Sequence, residues 1–505
     1  MPRPSSGWNV KEMTNPKEPT VHSCKDDGNR PNDNWQSIDW QKAERTVNQL
    51  QHRISKAYAE KRFDDVKRLQ YLLVHSFHAK ALAVRQVTEI NDGKRTCGVD
   101  KELWLSDKQK MGAVHQLNKG RYRSKPLRRI HIPKKNGKLR PLSIPTIYDR
   151  AMQALYALAP DPVCEAQSDA NSYGFRKGRG CHDVKEQLFI LLAKKKSPQW
   201  VLEGDIRGCF DHISHEWLMK NVLMDKKILE QFLKAGYVFN KKMFPTEEGT
   251  PQGGVISPIL ANICLNGIEP LLKGEFIGTS RKRSKVHLLR YADDFIVTAP
   301  NEETAERARN VITDFLKERG LELSEEKTLI THVDEGFDFL GFNVRKYNGK
   351  LLIKPSKNAI KSLKDKIREI VLTDGKAETQ DNIIRRLNPV LRGWSNYFKV
   401  GVSKEVFHYL EHYLVTVLMR WACRRHTQKG KKWVVNKYWH KVGTVRWTFC
   451  TKENTLFSIG KVKIKRHVKV QAKMNYYLDR EYFDARKSKT GMKLERGYRN
   501  SSMEA

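Results

Sequence analysis

Three acidic residues stand where apolar neighbours make them costly. Asp205 closes the apolar run 201–206 and is followed by Phe210-Asp211, while Asp293-Asp294 occupy a bend flanked by Leu288, Leu289, Phe295 and Ile296. Adjacent carboxylates beside apolar walls repel each other and lose hydration, so they are not placed there for stability. A divalent cation is the usual compensation. Mg²⁺ takes carboxylate oxygens octahedrally while keeping waters and substrate phosphate. Two such ions about 3.5–4 Å apart can stabilise the attacking and leaving oxygens of phosphoryl or nucleotidyl transfer. An Asp-Asp pair in a turn is more often simply solvated, and it is the apolar flanks that argue otherwise here.

The elements that must position these residues are legible in outline. The run 201–206 reads as a strand ending before Gly208, and 287–289, 291–294 and 295–298 read as strand, turn and strand. Leu127–Ile132 and Arg140–Ile144 flank Lys134-Lys135-Asn136-Gly137-Lys138, and Asn-Gly between extended runs signals a basic hairpin. Helical periodicity runs from Trp40 through Val47 to Ala57, then over Asp64–Val87, Asp149–Leu158, Cys181–Lys195 and Glu302–Arg319. Phe337–Tyr347 reads as extended, followed by helices over Ala359–Val371, Gln380–Leu391 and Lys404–Arg425. Beyond Lys431 the chain is basic and aromatic, and Lys alternating with Val and Ile over 461–465 suggests a strand with one basic face.

The 505 residues carry 94 Lys and Arg against 57 Asp and Glu, a formal charge of +37. Such a chain repels itself unless a polyanion neutralises it, so nucleic acid is the leading partner. Residues 351–505 hold 35 basic and 13 acidic residues, or +22 of that excess, and nine of the twenty residues 121–140 are Lys or Arg. No apolar run approaches the length of a membrane span, so no membrane partner is expected. The eight cysteines form no Cys-x-x-Cys pair, which argues against zinc and against a disulfide framework and fits a reducing cytoplasm.

Tyr291-Ala292-Asp293-Asp294 resembles the palm signature of reverse transcriptases. Asp205-Ile206-Arg207-Gly208-Cys209-Phe210-Asp211 resembles the metal-binding motif that precedes it, and Thr250-Pro251-Gln252-Gly253-Gly254 the motif between. Tyr173-Gly174-Phe175-Arg176 resembles the upstream fingers motif, and Phe339-Leu340-Gly341-Phe342 the primer-grip region. Arg392-Gly393-Trp394-Ser395-Asn396-Tyr397-Phe398 resembles the maturase domain of group II intron-encoded proteins. That likeness implies an α+β right-hand polymerase with fingers, a mixed α/β palm and a helical thumb, followed by maturase and basic DNA-binding regions. Its expected layout is a disordered tail over 1–36, an N-terminal extension and fingers over 37–200, palm over 201–350, thumb and maturase over 351–430, and a DNA-binding region over 431–505.

The resemblance also implies roles. Asp205, Asp293, Asp294 and the Ile206 carbonyl would hold two Mg²⁺ ions and no zinc. Lys134, Arg140, Phe210 and Gln252 would meet the incoming dNTP, with Phe210 excluding a ribose 2′-hydroxyl. Lys327 would be a candidate general acid, although a Lys after two Glu is commonly a surface ion pair. Arg392, Trp394, Asn396 and Tyr397 would contact RNA; the i, i+3, i+4 spacing of Trp394, Tyr397 and Phe398 fits core packing equally well. Lys463, Lys465, Arg466 and Lys469 would contact target DNA. The implied function is an RNA-directed DNA polymerase and maturase that binds its intron RNA, promotes splicing and copies that RNA into cDNA at a DNA target. A bacterial, cytoplasmic and nucleoid-associated setting is expected. Many relatives end in an HNH nuclease with paired Cys-x-x-Cys; after Cys264 only Cys423 and Cys450 remain, so none is expected.

Overall fold

The computed structural model describes residues 34–490 apart from 119, 134–136, 138 and 279–283. Helix α1 (Trp40–Ala59) starts where the Asp39 carboxylate accepts the Lys42 N–H at 2.9 Å, and it buries Ala43, Val47, Ile54 and Ala57. The helix expected over 64–87 is instead a pair, α2 (Phe63–His75) and α3 (Phe77–Arg85). Ser76 parts them: its N–H closes the α2 end on the Leu72 carbonyl while its ψ of 132° turns the chain outward.

The two extended runs of the basic hairpin pair with each other. Strands β1 (Leu127–Pro133) and β2 (Leu139–Ile144) pair antiparallel from Arg128↔Ile144 to Pro133↔Leu139. Helix α4 (Ile147–Ala157) follows, capped by the Thr146 hydroxyl, and then α5 (Cys181–Leu192).

Strand β3 (Trp200–Asp205) begins the palm. The short strands β4 (Tyr237–Phe239) and β5 (Lys242–Phe244) extend the fingers sheet, β4 running parallel to β1. After helix α6 (Ser257–Leu265) come β6 (His287–Tyr291), β7 (Asp294–Ala299), helix α7 (Glu302–Lys317) and β8 (Leu329–His332). The palm sheet has the order β6-β7-β3-β8. Successive side chains of a strand face opposite ways. Leu202, Leu288, Phe295 and Val297 therefore enter one core with the N-terminal helices, and Val201, Leu289 and Ile296 enter a second core with the C-terminal half. Burial on both faces explains why these strands read as continuous apolar runs.

The extended stretch 337–347 is two strands, β9 (Phe337–Phe339) and β10 (Phe342–Tyr347), because Leu340 and Gly341 turn the chain at positive φ. Strand β11 (Lys350–Pro355) completes that sheet. Helices α8 (Lys357–Arg368), α9 (Gln380–Phe398) and α10 (Lys404–Arg425) follow it. Helix α9 passes through Pro389 and carries on seven residues past the expected end at Leu391, so the whole maturase motif is helical.

The strand expected over 461–465 is absent: that stretch is irregular and pairs with no other strand. Its backbone is held between the end of α9 and the start of α10, where the Lys465 N–H donates to the Lys399 carbonyl (2.9 Å) and Lys404 Nζ to the Val462 carbonyl (3.4 Å), and the residues after it cross to α5. Asp183 on α5 accepts from His467 Nε2 (2.9 Å), the Val470 N–H (2.8 Å) and Arg486, while Arg466 pairs with Glu186. Arg486 belongs to α11 (Arg480–Thr490), and Val470, Tyr476, Tyr477 and Phe483 join the second core. Residues past 431 thus close the palm and thumb core rather than building their own. Burial pushes the Asp183 carboxyl up, but the His467 hydrogen bond and the Arg486 charge outweigh it and hold the group below the usual range. Among the described residues no helix is long and apolar enough to cross a membrane.

Candidate active site

The register of the palm sheet brings the acidic residues together. Asp205 lies directly across from Asp294 in the β3–β7 pairing, and Asp294 is also the partner of Tyr291 across the β6–β7 turn. Like charges opposite one another in an antiparallel pair are destabilising. Burial pushes the Asp293 carboxyl up, and the Asp205 charge adds to this. For Asp294 the surrounding protein, then the charges of Asp293 and Asp205, push the carboxyl up to about 7, even though its side chain still meets solvent. Lys327 answers part of this charge. Its ammonium donates to Asp205 Oδ2 at 2.9 Å, and that hydrogen bond raises the Lys327 pKa. This contact brings Lys327, the candidate general acid, to the carboxylate site.

Ile206 faces Leu323 in an isolated antiparallel bridge flanked by Arg207 N–H to Glu322 O (2.9 Å) and Ser324 N–H to Asp205 O (2.8 Å). In such a non-hydrogen-bonded pair each residue's own carbonyl points away from its partner, so the Ile206 carbonyl faces the β7 side of the cleft. Three carboxylates and a carbonyl are the hard oxygen donors that Mg²⁺ prefers, so the donor set fits that ion. Among the described residues, however, no three His, Cys, Asp or Glu side chains already stand gathered as a metal cluster.

The bend carrying Asp293 is held from below by residues that sequence reasoning missed. Arg290 is fully buried and donates to the Ala292 carbonyl (3.1 Å), Asn262 Oδ1 (3.0 Å) and Asn266 Oδ1 (2.8 Å). Its signal was a lone cation inside an apolar strand, directly before the acidic turn. Ala292 sits at φ +58°, a conformation that costs an L-residue about 1–2 kcal/mol and that the surroundings must enforce. Gly174 is part of that enforcement. The segment before it adds to the edge of β6 through Tyr173 N–H to Arg290 O (2.9 Å), and a Cβ on Gly174 would lie 2.2 Å from the Ala292 nitrogen.

On the fingers side Arg140 Nε donates to Gln252 Oε1 (3.2 Å), and Gln252 Nε2 donates to Asp211 Oδ2 (2.8 Å). Phe210 is half-buried, edge-on to Phe175 at 6.2 Å. Arg140, Gln252 and Phe210 thus belong to adjoining parts of one wall; Lys134 lies outside the described residues.

The sequence-assigned RNA and DNA sets are divided by the structure. Tyr397 stacks on Phe342 at 5.5 Å and donates its hydroxyl to the Leu340 carbonyl (2.8 Å), and Trp394 packs on Phe398 at 4.4 Å. These rings join α9 to the palm, the core role that their spacing allowed. Arg392 and Asn396 stay exposed. Of the DNA set, Lys469 donates to the Val470 carbonyl (3.0 Å), and Arg466 pairs with Glu186 while its side chain stays exposed, as those of Lys463 and Lys465 do.

Comparison with known proteins bears on this arrangement. Residues 132–344 match the reverse transcriptase (RNA-dependent DNA polymerase) family, 35–117 the N-terminal domain of reverse transcriptase, and 360–439 the group II intron maturase-specific domain. Protein YkfC of Escherichia coli is 36% identical over 263 residues, 45% of this chain and 68% of that protein. The group II intron-encoded protein LtrA of Lactococcus lactis is 28% identical over 441 residues, covering 69% of this chain and 72% of that one. Among solved structures, telomerase from Candida albicans aligns at a TM-score of 0.36 and 14% identity, over 62% of this chain and 64% of that one.

Proposed function

The chain belongs to the reverse transcriptase family, in its group II intron-encoded branch, and from that premise we propose how its own residues carry the activity. It is an RNA-directed DNA polymerase and maturase that binds its intron RNA, promotes splicing and copies the RNA into cDNA at a DNA target. The observation that carries this reading is the Asp205↔Asp294 register, which sets a third carboxylate, Asp293, at the mouth of the same turn.

Asp205, Asp293, Asp294 and the Ile206 carbonyl are the groups that would hold two Mg²⁺ ions. When bound, such ions supply Lewis-acid stabilisation of the attacking and leaving oxygens of nucleotidyl transfer. The other residues position and select. Phe210, steadied by Phe175, excludes a ribose 2′-hydroxyl and so favours dNTPs. Arg140 and Gln252 are tied to Asp211 and so reach the nucleotide from a fixed wall; Lys134 adds a cation for the triphosphate. Lys327, at the carboxylate site, gives a proton to the departing pyrophosphate. The protein thus acts through position and electrostatics rather than through a covalent intermediate.

Splicing help is binding: the protein stabilises the folded RNA by its preferential affinity for it. Arg392 and Asn396 offer the exposed polar contacts of the maturase helix, with Trp394 and Tyr397 fixing its pose. Lys463 and Lys465 offer backbone contacts to target DNA, with Arg466 and Lys469 anchoring the segment that carries them. A bacterial cytoplasmic setting suits this work. The test is to add the protein and dNTPs to its precursor RNA. Protein-dependent splicing and RNA-templated cDNA are expected; absence of cDNA overturns the polymerase reading, and unassisted splicing at equal rate overturns the maturase reading.

A further inference from the structure

Lys327 bonds the one carboxylate that both neighbouring acids feel. Its Nζ lies 2.9 Å from Asp205 Oδ2, the Asp205 side chain is 20% exposed, and the lysine arm is 64% exposed. The contact joins residues 122 positions apart, and the chain is arranged to deliver it: Ser324 N–H binds the Asp205 carbonyl (2.8 Å), and Lys327 N–H closes the turn on Ser324 O (3.2 Å). The root of the lysine is therefore fixed to Asp205's own backbone while its arm is free to swing. The charges of Asp294 and Asp293 also favour the ammonium.

We propose that Lys327 is a resident counter-cation that competes with divalent metal for Asp205, so the free protein holds metal weakly. This rests on the metal-binding reading of the aspartates given above. An ammonium hydrogen-bonded to Oδ2 and a divalent ion held by the same carboxylate repel each other at close range. The ion binds against that repulsion or moves the arm into solvent, which its exposure permits. Removing the arm removes both the competition and the repulsion. With the cation attracted to this exposed site through high-dielectric surroundings, the expected gain is about tenfold in affinity. The arrangement keeps the Asp205 carboxylate partly neutralised until nucleotide phosphates arrive with their own metal, and it makes weak metal binding by the free protein a built property of this turn.

The test titrates Mn²⁺ into the full chain without nucleic acid or dNTP and reads free ion by electron paramagnetic resonance. Wild type, K327Q, K327R and D293N are compared. Expected is about tenfold tighter binding in K327Q, near wild-type affinity in K327R, and loss of binding in D293N. Unchanged or weaker binding by K327Q, with binding still sensitive to D293N, overturns the role of Lys327 alone. No D293N-sensitive binding in either protein overturns the metal reading of the site and this inference with it. The lysine arm is exposed, so the substitution leaves the fold intact, and the readout does not depend on catalysis.

Discussion

Gly174→Ala tests how the fingers hold the catalytic turn. Gly174 is not at positive φ, so its backbone accepts alanine; the perturbation is purely one of space. The new methyl would stand 2.2 Å from the Ala292 nitrogen and 2.9 Å from both Ala292 Cα and Tyr291 carbonyl carbon. Ordinary contact needs about 3.5 Å, so the turn must retreat by roughly 1 Å. The obstacle is backbone, and Arg290 pins that backbone from the other side through the Ala292 carbonyl. Overpacking of this kind costs about 1–3 kcal/mol. Because Asp293 follows Ala292 directly, a 1 Å displacement there should also lower the chemical step by about 100-fold. The assay is single-turnover dNTP incorporation on an RNA template, with RNA affinity and thermal unfolding measured beside it. A variant that keeps its RNA affinity, melts slightly earlier and loses most of its rate is expected. A rate within threefold of wild type would refute the idea that Gly174 fixes the turn.

Other perturbations follow from the same geometry. Arg290→Met leaves Asn262, Asn266 and the Ala292 carbonyl without their buried donor and should cost about 3 kcal/mol in denaturant unfolding; a loss below 1 kcal/mol would count against the buttress. Phe210→Ala should raise rNTP use relative to dNTP by roughly tenfold or more, and an unchanged ratio would remove the ring from selection. Burial, with a smaller push from Asp338, raises the Glu203 carboxyl to about 7 against the Thr331 hydrogen bond. The folded state then holds more protons than the unfolded one between the ordinary carboxylate range and about 7, so this group's contribution to stability falls as pH rises through that window. Wild type should therefore lose stability relative to Glu203→Gln from pH 5 to 8; parallel profiles would sink the assignment.

Local signals were the ones the sequence carried well. Asp205 could be found because it closes a short apolar strand, Asp293 because it sits in the bend of an apolar hairpin, and the basic hairpin because Asn-Gly falls between two extended runs. Two kinds of feature were hidden. One is a pattern whose partner lies elsewhere: Lys and Val alternating over 461–465 look like a strand, but a strand needs a neighbour, and this segment instead rests on the junction of α9 and α10 through the Lys399 carbonyl and the Lys404 ammonium. The other is a residue that acts on backbone. Gly174 and Arg290 carry no chemistry of their own, and their purpose appears only when the Ala292 turn is seen resting on them. The maturase aromatics fall between these cases. Their spacing allowed either RNA stacking or packing, and the Tyr397 hydrogen bond to Leu340 gives those rings a structural task.

The central claim is that the three-aspartate site performs nucleotide addition while a separate surface holds RNA. Single-turnover incorporation on an RNA template by wild type and Asp293→Asn, at matched and measured intron-RNA affinity, tests it most directly. The account predicts unchanged RNA binding with incorporation reduced by at least about 1,000-fold; equal incorporation by the two proteins would contradict it.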